Sequence, residues 1–175
     1  LKDLVPYLPF QKIVDMYGAF KDLAYENYLL KFIFICCTMD YPPEWTLSIL
    51  SIVFEGSSLN DPDSIKTVMW IVLELLKKGC FPKELVDERI ERVMEISANT
   101  SPNETLEAVK LLAKLTGIKL TKLDIFKTAF KVSMISTLDA LTYLLENGHI
   151  LLPSEDLNEL VHEFAADSIR WDFIH

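Results

Sequence analysis

Apolar residues recur along most of the chain at the three- and four-residue spacing that places them on one face of an α-helix. The clearest example occupies positions i, i+3, i+4, i+7 and i+8 of one predicted helix: Leu157, Leu160, Val161, Phe164 and Ala165. No segment shows the sustained alternation of apolar and polar residues that is typical of strands. The pattern therefore predicts an all-α fold.

Helix-start signals repeat at nearly constant spacing. Four prolines precede apolar runs at almost equal intervals: Pro43, Pro62, Pro82 and Pro102. Proline is favoured in the first turn of a helix because its φ angle is already set and it has no N–H to leave unpaired. The series continues with the capping hydroxyls of Thr121, Ser136 and Ser154, and with capping boxes at Ser101–Glu104 and Ser136–Asp139. We expect about eight to ten helices, with sequence neighbours packed antiparallel because the connections are short.

Length and composition favour one helical domain over residues 1–175. The polar run at residues 56–61 is the predicted boundary between two sub-bundles. The helix predicted over residues 22–38 is apolar nearly all round, so other helices or a partner must cover it on several sides. Trp45 and Trp70 lie inside apolar runs and are predicted core residues.

Three predicted helices end with a glycine, a short linker and a new helix start. The glycines recur at a spacing close to that of a helix pair: Gly79, Gly117 and Gly148. In this respect residues 65–164 resemble the helical-repeat families, in particular pentatricopeptide and tetratricopeptide repeats, and the pair length is equally compatible with HEAT-like repeats. The resemblance implies stacked antiparallel helix hairpins, as a short α-solenoid or multi-helix bundle. It also implies a surface that binds protein or, in pentatricopeptide repeats, single-stranded RNA.

Charge is distributed unevenly along this acidic chain. The formal net charge is −9, which disfavours a nucleic-acid partner. Two i,i+4 lysine pairs nevertheless fall on adjacent predicted helices: Lys110 and Lys114, and Lys127 and Lys131. These lysines are candidate partner-binding residues, and three interpretations stay open: a solvated face, a site for an acidic protein, or an RNA site. Trp171 and Phe173, in the last helix, are candidate anchors for a partner at the C-terminal end.

Signatures of catalysis are missing from the sequence. Phosphate-binding and dinucleotide-binding glycine motifs, the nucleophile-elbow motif and the HExxH zinc motif do not occur. The three histidines, His149, His162 and His175, lack metal-ligand spacing. We therefore predict a non-enzymatic protein with no catalytic residues, no metal, no cofactor and no small-molecule substrate.

Cysteine usage and hydropathy bear on location. The three cysteines, Cys36, Cys37 and Cys80, are predicted to be reduced core thiols, which favours the cytosol or nucleus. No apolar run is long enough to span a membrane. The resulting hypothesis is a protein-interaction or scaffold module of a larger intracellular protein, bound to a protein partner or to itself. The alternative is a pentatricopeptide-like repeat domain that binds single-stranded RNA.

Overall fold

The computed structural model describes residues 26–39, 45–55, 61–79, 88–120, 123–150 and 154–174, together with Lys12, Asp15 and Phe81. These ranges contain eight helices: α1 (Glu26–Thr38), α2 (Trp45–Glu55), α3 (Pro62–Lys77), α4 (Glu88–Thr100), α5 (Pro102–Thr116), α6 (Asp124–Val132), α7 (Met134–Glu146) and α8 (Ser154–Ile174). The β-type pairing among the described residues is one isolated parallel bridge between Leu120 and Ile150. The predicted all-α fold is confirmed.

Helix ends follow the local signals in two respects. At the start of α3, the Asp61 carboxylate accepts a hydrogen bond from the Ser64 backbone N–H at 3.0 Å, and Pro62 occupies the first turn. After α3, α5 and α7, the glycines Gly79, Gly117 and Gly148 have φ angles of 68°, 66° and 69°. This left-handed conformation favours glycine, which explains why these helices end there.

Both predicted capping boxes are wrong. Ser101 is the N-cap residue of α5, but its hydroxyl makes no capping hydrogen bond and finds no partner among the described residues. Ser136 lies inside α7, because the chain turns at Ser133 and the helix has already begun at Met134. Thr121, Pro43 and Pro82 lie outside the described residues.

One hydrophobic core joins the described helices from Leu30 in α1 to Phe164 in α8. Phe130 stacks on Phe164 with ring centroids 3.9 Å apart, which ties α6 to α8. Trp45 is half-buried and packs against this core. The prediction that Trp70 is a core residue needs correction. Trp70 is half-buried at the edge of a surface cavity, and the centroid of its ring lies 5.5 Å from that of Phe34.

Helix contacts follow a regular order along the chain. Each helix packs on the helix two places further on, which gives one series of α1, α3, α5 and α7 and another of α2, α4, α6 and α8. Sequence neighbours also pack against each other, most extensively α3 with α4, α4 with α5, and α6 with α7. Residues 56–60, which cover most of the predicted sub-bundle boundary, lie outside the described ranges.

Candidate functional site

Two single-residue corners give α5 and α7 matching starts. Ser101 alone separates α4 from α5, and Ser133 alone separates α6 from α7. In α5, the carbonyl of Ser101 accepts hydrogen bonds from the Thr105 backbone N–H and, at 2.7 Å, from the Thr105 hydroxyl. The carbonyl of Ser133 accepts the same two bonds from Thr137.

The match between α5 and α7 continues beyond the corner. Placing Ser101 on Ser133 aligns four further identities or close substitutions along the two helices: Leu106 with Leu138, Glu107 with Asp139, Ala108 with Ala140, and Leu112 with Leu144. Ala108 and Ala140 are both fully buried, and so is Leu144, with Leu112 nearly so. The two helices therefore bury matching positions after matching corners.

Equivalent positions on the two helices differ sharply in exposure. Leu106 is 2% exposed, whereas its counterpart Leu138 is 45% exposed. Ala113 is 0% exposed, whereas its counterpart Leu145 is 47% exposed. Helix α5 is flanked by α3 on one side and α7 on the other, whereas in its own series α7 has only α5 as a neighbour among the described helices. Helix α5 packs on α7 along one of its sides. The matching side of α7 has no helix of the series against it among the described residues, and we call it the open side of α7.

The open side of α7 carries a narrow apolar line that we call the α7 seam. It consists of four exposed residues at positions i, i+3, i+7 and i+10: Ile135, Leu138, Thr142 and Leu145. Ile135 is 79% exposed, the largest value among the large apolar side chains that the structure describes. Val132, the last residue of α6, and Met134, the first of α7, are exposed apolar residues on the two sides of the Ser133 corner. Contiguous exposed apolar surface of this kind marks interaction sites.

Sequence reasoning missed the α7 seam. The run of residues 134–145 contains apolar side chains on more than one face, so periodicity alone cannot separate a buried face from an open one. The α7 seam is located by aligning the sequence of α7 on that of α5. The register of this alignment is set by the matched corners at Ser101 and Ser133, which only the structure shows. The seam lies toward the C-terminal end of the described helices, the end for which a partner is predicted.

The lysines predicted from the sequence meet acids on other helices. Lys110 Nζ lies 3.5 Å from a carboxylate oxygen of Asp139 on α7, and Lys127 Nζ lies 3.3 Å from Glu163 Oε1 on α8. The hydrogen bond to Glu163 is the main cause that raises the pKa of Lys127. Lys114 and Lys131 are exposed. Lys110 and Lys127 thus pair with acids that are distant in sequence and lie on two different helices. These acids offset part of the lysine charge, and a role of the four lysines in partner binding stays a prediction.

The other predicted anchors are at the end of α8. Trp171 and Phe173 belong to its last turns, and their side chains lie outside the described part of the structure. Their role as interface anchors therefore stays a prediction.

A second surface feature lies between α1 and α3. A cavity of about 200 Å³ is lined by Phe34, Trp70, Leu73, Glu74 and Lys77. The ammonium group of Lys66 sits 5.4 Å from the Trp70 ring centroid, so a cation from the same helix already covers one face of that ring. Charges of both signs line the opening, which gives this cavity no clear preference for a ligand.

The chemistry available elsewhere is limited. Burial raises the pKa of the Cys36 thiol to about 11 and that of the Cys37 thiol to about 12, which disfavours the reactive thiolates. Both thiols are unpaired and buried, as predicted, and Cys80 lies outside the described residues. No three His, Cys, Asp or Glu side chains in the described ranges converge as a metal ion would require.

Two further findings complete the description of the site. Within the described ranges, no helix has both the length and the apolar character that crossing a bilayer requires. The chain matches no protein-family model, no curated protein and no solved structure. The assignment of a function therefore depends on the surfaces of the chain itself; among those that the structure describes, the α7 seam is the most exposed apolar one.

Proposed function

We propose that this chain is a non-enzymatic protein-interaction module, a short α-solenoid of stacked helix hairpins that docks another protein at its α7 end. The observation behind the proposal is the contrast between Leu106, buried on a helix that has a neighbour of its series on both sides, and Leu138, the exposed residue at the matching position of α7. We attribute the burial of Leu106 to the helices that flank α5. The same place on α7 is suited to receive a helix from elsewhere.

The stacked-hairpin architecture has independent support. Contacts between helices two places apart are what a solenoid requires, because each unit then touches only its neighbours. The repeated corner at Ser101 and Ser133 and the repeated glycine ends at Gly117 and Gly148 give successive units one local geometry. The pairing of Leu120 with Ile150 then joins the linkers that follow these two glycines.

The alignment of the exposed residues along one helix favours a docking role. Scattered single apolar residues on a surface need no explanation, but four aligned positions on one helix, three of them Ile or Leu, form a continuous line. Burying such side chains against a partner helix releases water from both surfaces and stabilises the complex. The buried, unpaired thiols of Cys36 and Cys37 favour a reducing, intracellular setting.

Site-specific photocross-linking tests the proposal. A benzophenone amino acid replaces Leu138 on the α7 seam in one variant and Arg92, an exposed residue of α4, in the control. In extracts of the source cells, we expect protein adducts of discrete mass at position 138, which disappear in the Ile135→Lys background and when unlabelled chain is added in excess. Equal labelling at both positions, labelling of nucleic acid alone, or no adduct at position 138 contradicts the proposal.

A further inference from the structure

The spacing of the α7 seam specifies the shape of what binds it. Ile135, Leu138, Thr142 and Leu145 follow the 3,4,3 spacing of the a and d positions of a heptad. A helix with this strict two-position line fits against one other helix, with side chains of each inserted between side chains of the other. The seam therefore matches a helix better than a strand or an extended peptide.

The two edges of the α7 seam differ in chemistry. On one edge, Leu141 is buried in the core of the molecule. On the other edge, Asp139 and Glu146 take the position that follows d in each heptad, and both are exposed. The Asp139 side chain stays 76% exposed while it pairs with Lys110. A helix on the seam would therefore have acidic groups along one side only.

The α5–α7 interface within the molecule shows how such an edge is used. At this interface, we call α5 the receiving helix and α7, which packs on it, the incoming helix. The receiving helix carries Lys110 and Lys114, and Lys110 Nζ lies 3.5 Å from a carboxylate oxygen of Asp139 on the incoming helix. At the equivalent places of the next unit, the receiving helix α7 carries Thr142 and Glu146. Two lysines of α5 are thus replaced by a neutral and an acidic residue on α7, while Glu107 and its counterpart Asp139 keep an acid at the remaining place. The charge of this edge therefore shifts toward the acidic from α5 to α7, which favours a basic incoming helix.

We infer that the α7 seam binds an amphipathic helix of a different protein, one with apolar a and d residues and with Lys or Arg along the edge that faces Asp139 and Glu146. This inference rests on the proposed function and names its partner class. A second copy fits less well, because antiparallel pairing of two α7 helices brings the acidic edges of both copies together. The net charge of −9 adds to that repulsion and favours a basic partner.

Two designed peptides test the inference on the intact protein. Both are three-heptad helices with Leu at a and d, identical except for Lys or Glu at the positions beside the seam. At about 50 mM salt the Lys peptide should bind about tenfold more tightly than the Glu peptide, and the difference should shrink at about 500 mM salt. Leu138→Lys should abolish binding of both peptides, whereas Leu115→Lys, at an exposed leucine on α5, should leave binding unchanged.

Reversing the charge of the seam edge on the protein tests whether this edge sets the preference between the two peptides. In the Asp139→Lys plus Glu146→Lys variant, the preference should invert so that the Glu peptide binds more tightly. Equal binding of both peptides, or an unchanged preference in this variant, overturns the inference. A dimer in sedimentation equilibrium that Leu138→Lys dissociates would also overturn it, by identifying a second copy as the occupant. If position 138 still cross-links to a protein in cell extracts, the proposed function stands while the basic-helix inference fails.

Discussion

Leu106 on α5 and Leu138 on α7 each lie five residues after a serine corner, yet the first is 2% exposed and the second 45%. Their surroundings differ by one helix. Leu106 lies on a helix flanked on both sides within its series, and Leu138 lies on the open side of α7. The same residue type is therefore a core residue on α5 and a surface residue on α7.

This contrast predicts unequal costs of truncation. Leu106→Ala should lower the free energy of unfolding by about 2–5 kcal/mol, because it removes a buried side chain and leaves a cavity. Leu138→Ala should lower it by less, about 1 kcal/mol, because nearly half of the residue is already exposed to water. Urea denaturation of the two variants at equal, low protein concentration measures both values. Similar losses would mean that Leu138 is covered and that α7 has no open side.

A second prediction concerns the two corners. Thr105 and Thr137 both donate to the serine carbonyl that precedes their helix, but Thr105 also meets the Ser97 hydroxyl at 2.7 Å. Thr105→Val should therefore cost about 1–3 kcal/mol and Thr137→Val about 0.5–1.5 kcal/mol. Thermal denaturation with calorimetry measures the difference. A larger loss for Thr137→Val would contradict the role assigned to the buried hydroxyl pair.

Much of the fold follows from the sequence because its signals are local. Proline and acid at Asp61–Pro62, and glycine at Gly79, Gly117 and Gly148, set helix ends through backbone geometry that neighbours need not supply. The capping boxes failed where tertiary structure decided the outcome. At Ser133 the chain turns sharply, so α7 has already begun when it reaches the predicted cap at Ser136.

The candidate site could not be found in the same way. A leucine at position 138 is compatible with a core or a surface, and the local sequence does not say which. The lysine predictions illustrate the same limit, since Lys110 and Lys127 pair with Asp139 and Glu163, which belong to helices further along the chain. Which side chains of two helices form ion pairs depends on how the helices pack against each other. The periodicity within one helix does not specify that packing.

Thiol chemistry provides a prediction about pH. Burial raises the pKa of Cys36 to about 11 and of Cys37 to about 12 from an ordinary value of 9.0. The folded state therefore holds the two thiol protons more tightly than the unfolded state does. The contribution of these thiols to the free energy of unfolding is complete below pH 9.0 and is lost as the pH rises toward 11 and 12. In a Cys80→Ser background, the native protein should react with a thiol reagent far more slowly at pH 8 than the urea-unfolded protein does. Equal rates would show that the α1 thiols are accessible.

Measuring the affinity for RNA tests the alternative function, a repeat domain that binds single-stranded RNA. Binding to generic single-stranded RNA should be weak at about 150 mM salt, because the chain is acidic and Lys110 and Lys127 already face carboxylates. Phe126 and Phe130 are buried, so they do not offer rings for base stacking. Fluorescence anisotropy with labelled RNA measures the affinity. Sub-micromolar binding that is lost in Lys110→Glu plus Lys127→Glu, but kept in the control Lys31→Glu plus Lys66→Glu, would favour an RNA-binding repeat.

In the proposed function the α7 seam is open in the free protein and is covered when a helix binds. Hydroxyl-radical footprinting can follow both states, because oxidation reports side-chain exposure residue by residue. In the free protein, Ile135, Leu138 and the adjacent Met134 should oxidise quickly, whereas the buried Met69 and Met94 should not. A saturating amount of the Lys-edged peptide should slow oxidation at these three residues and at Leu145, but not at the exposed Leu115 of α5. Slow oxidation of Leu138 in the free protein, or no protection by the peptide, would contradict the claim.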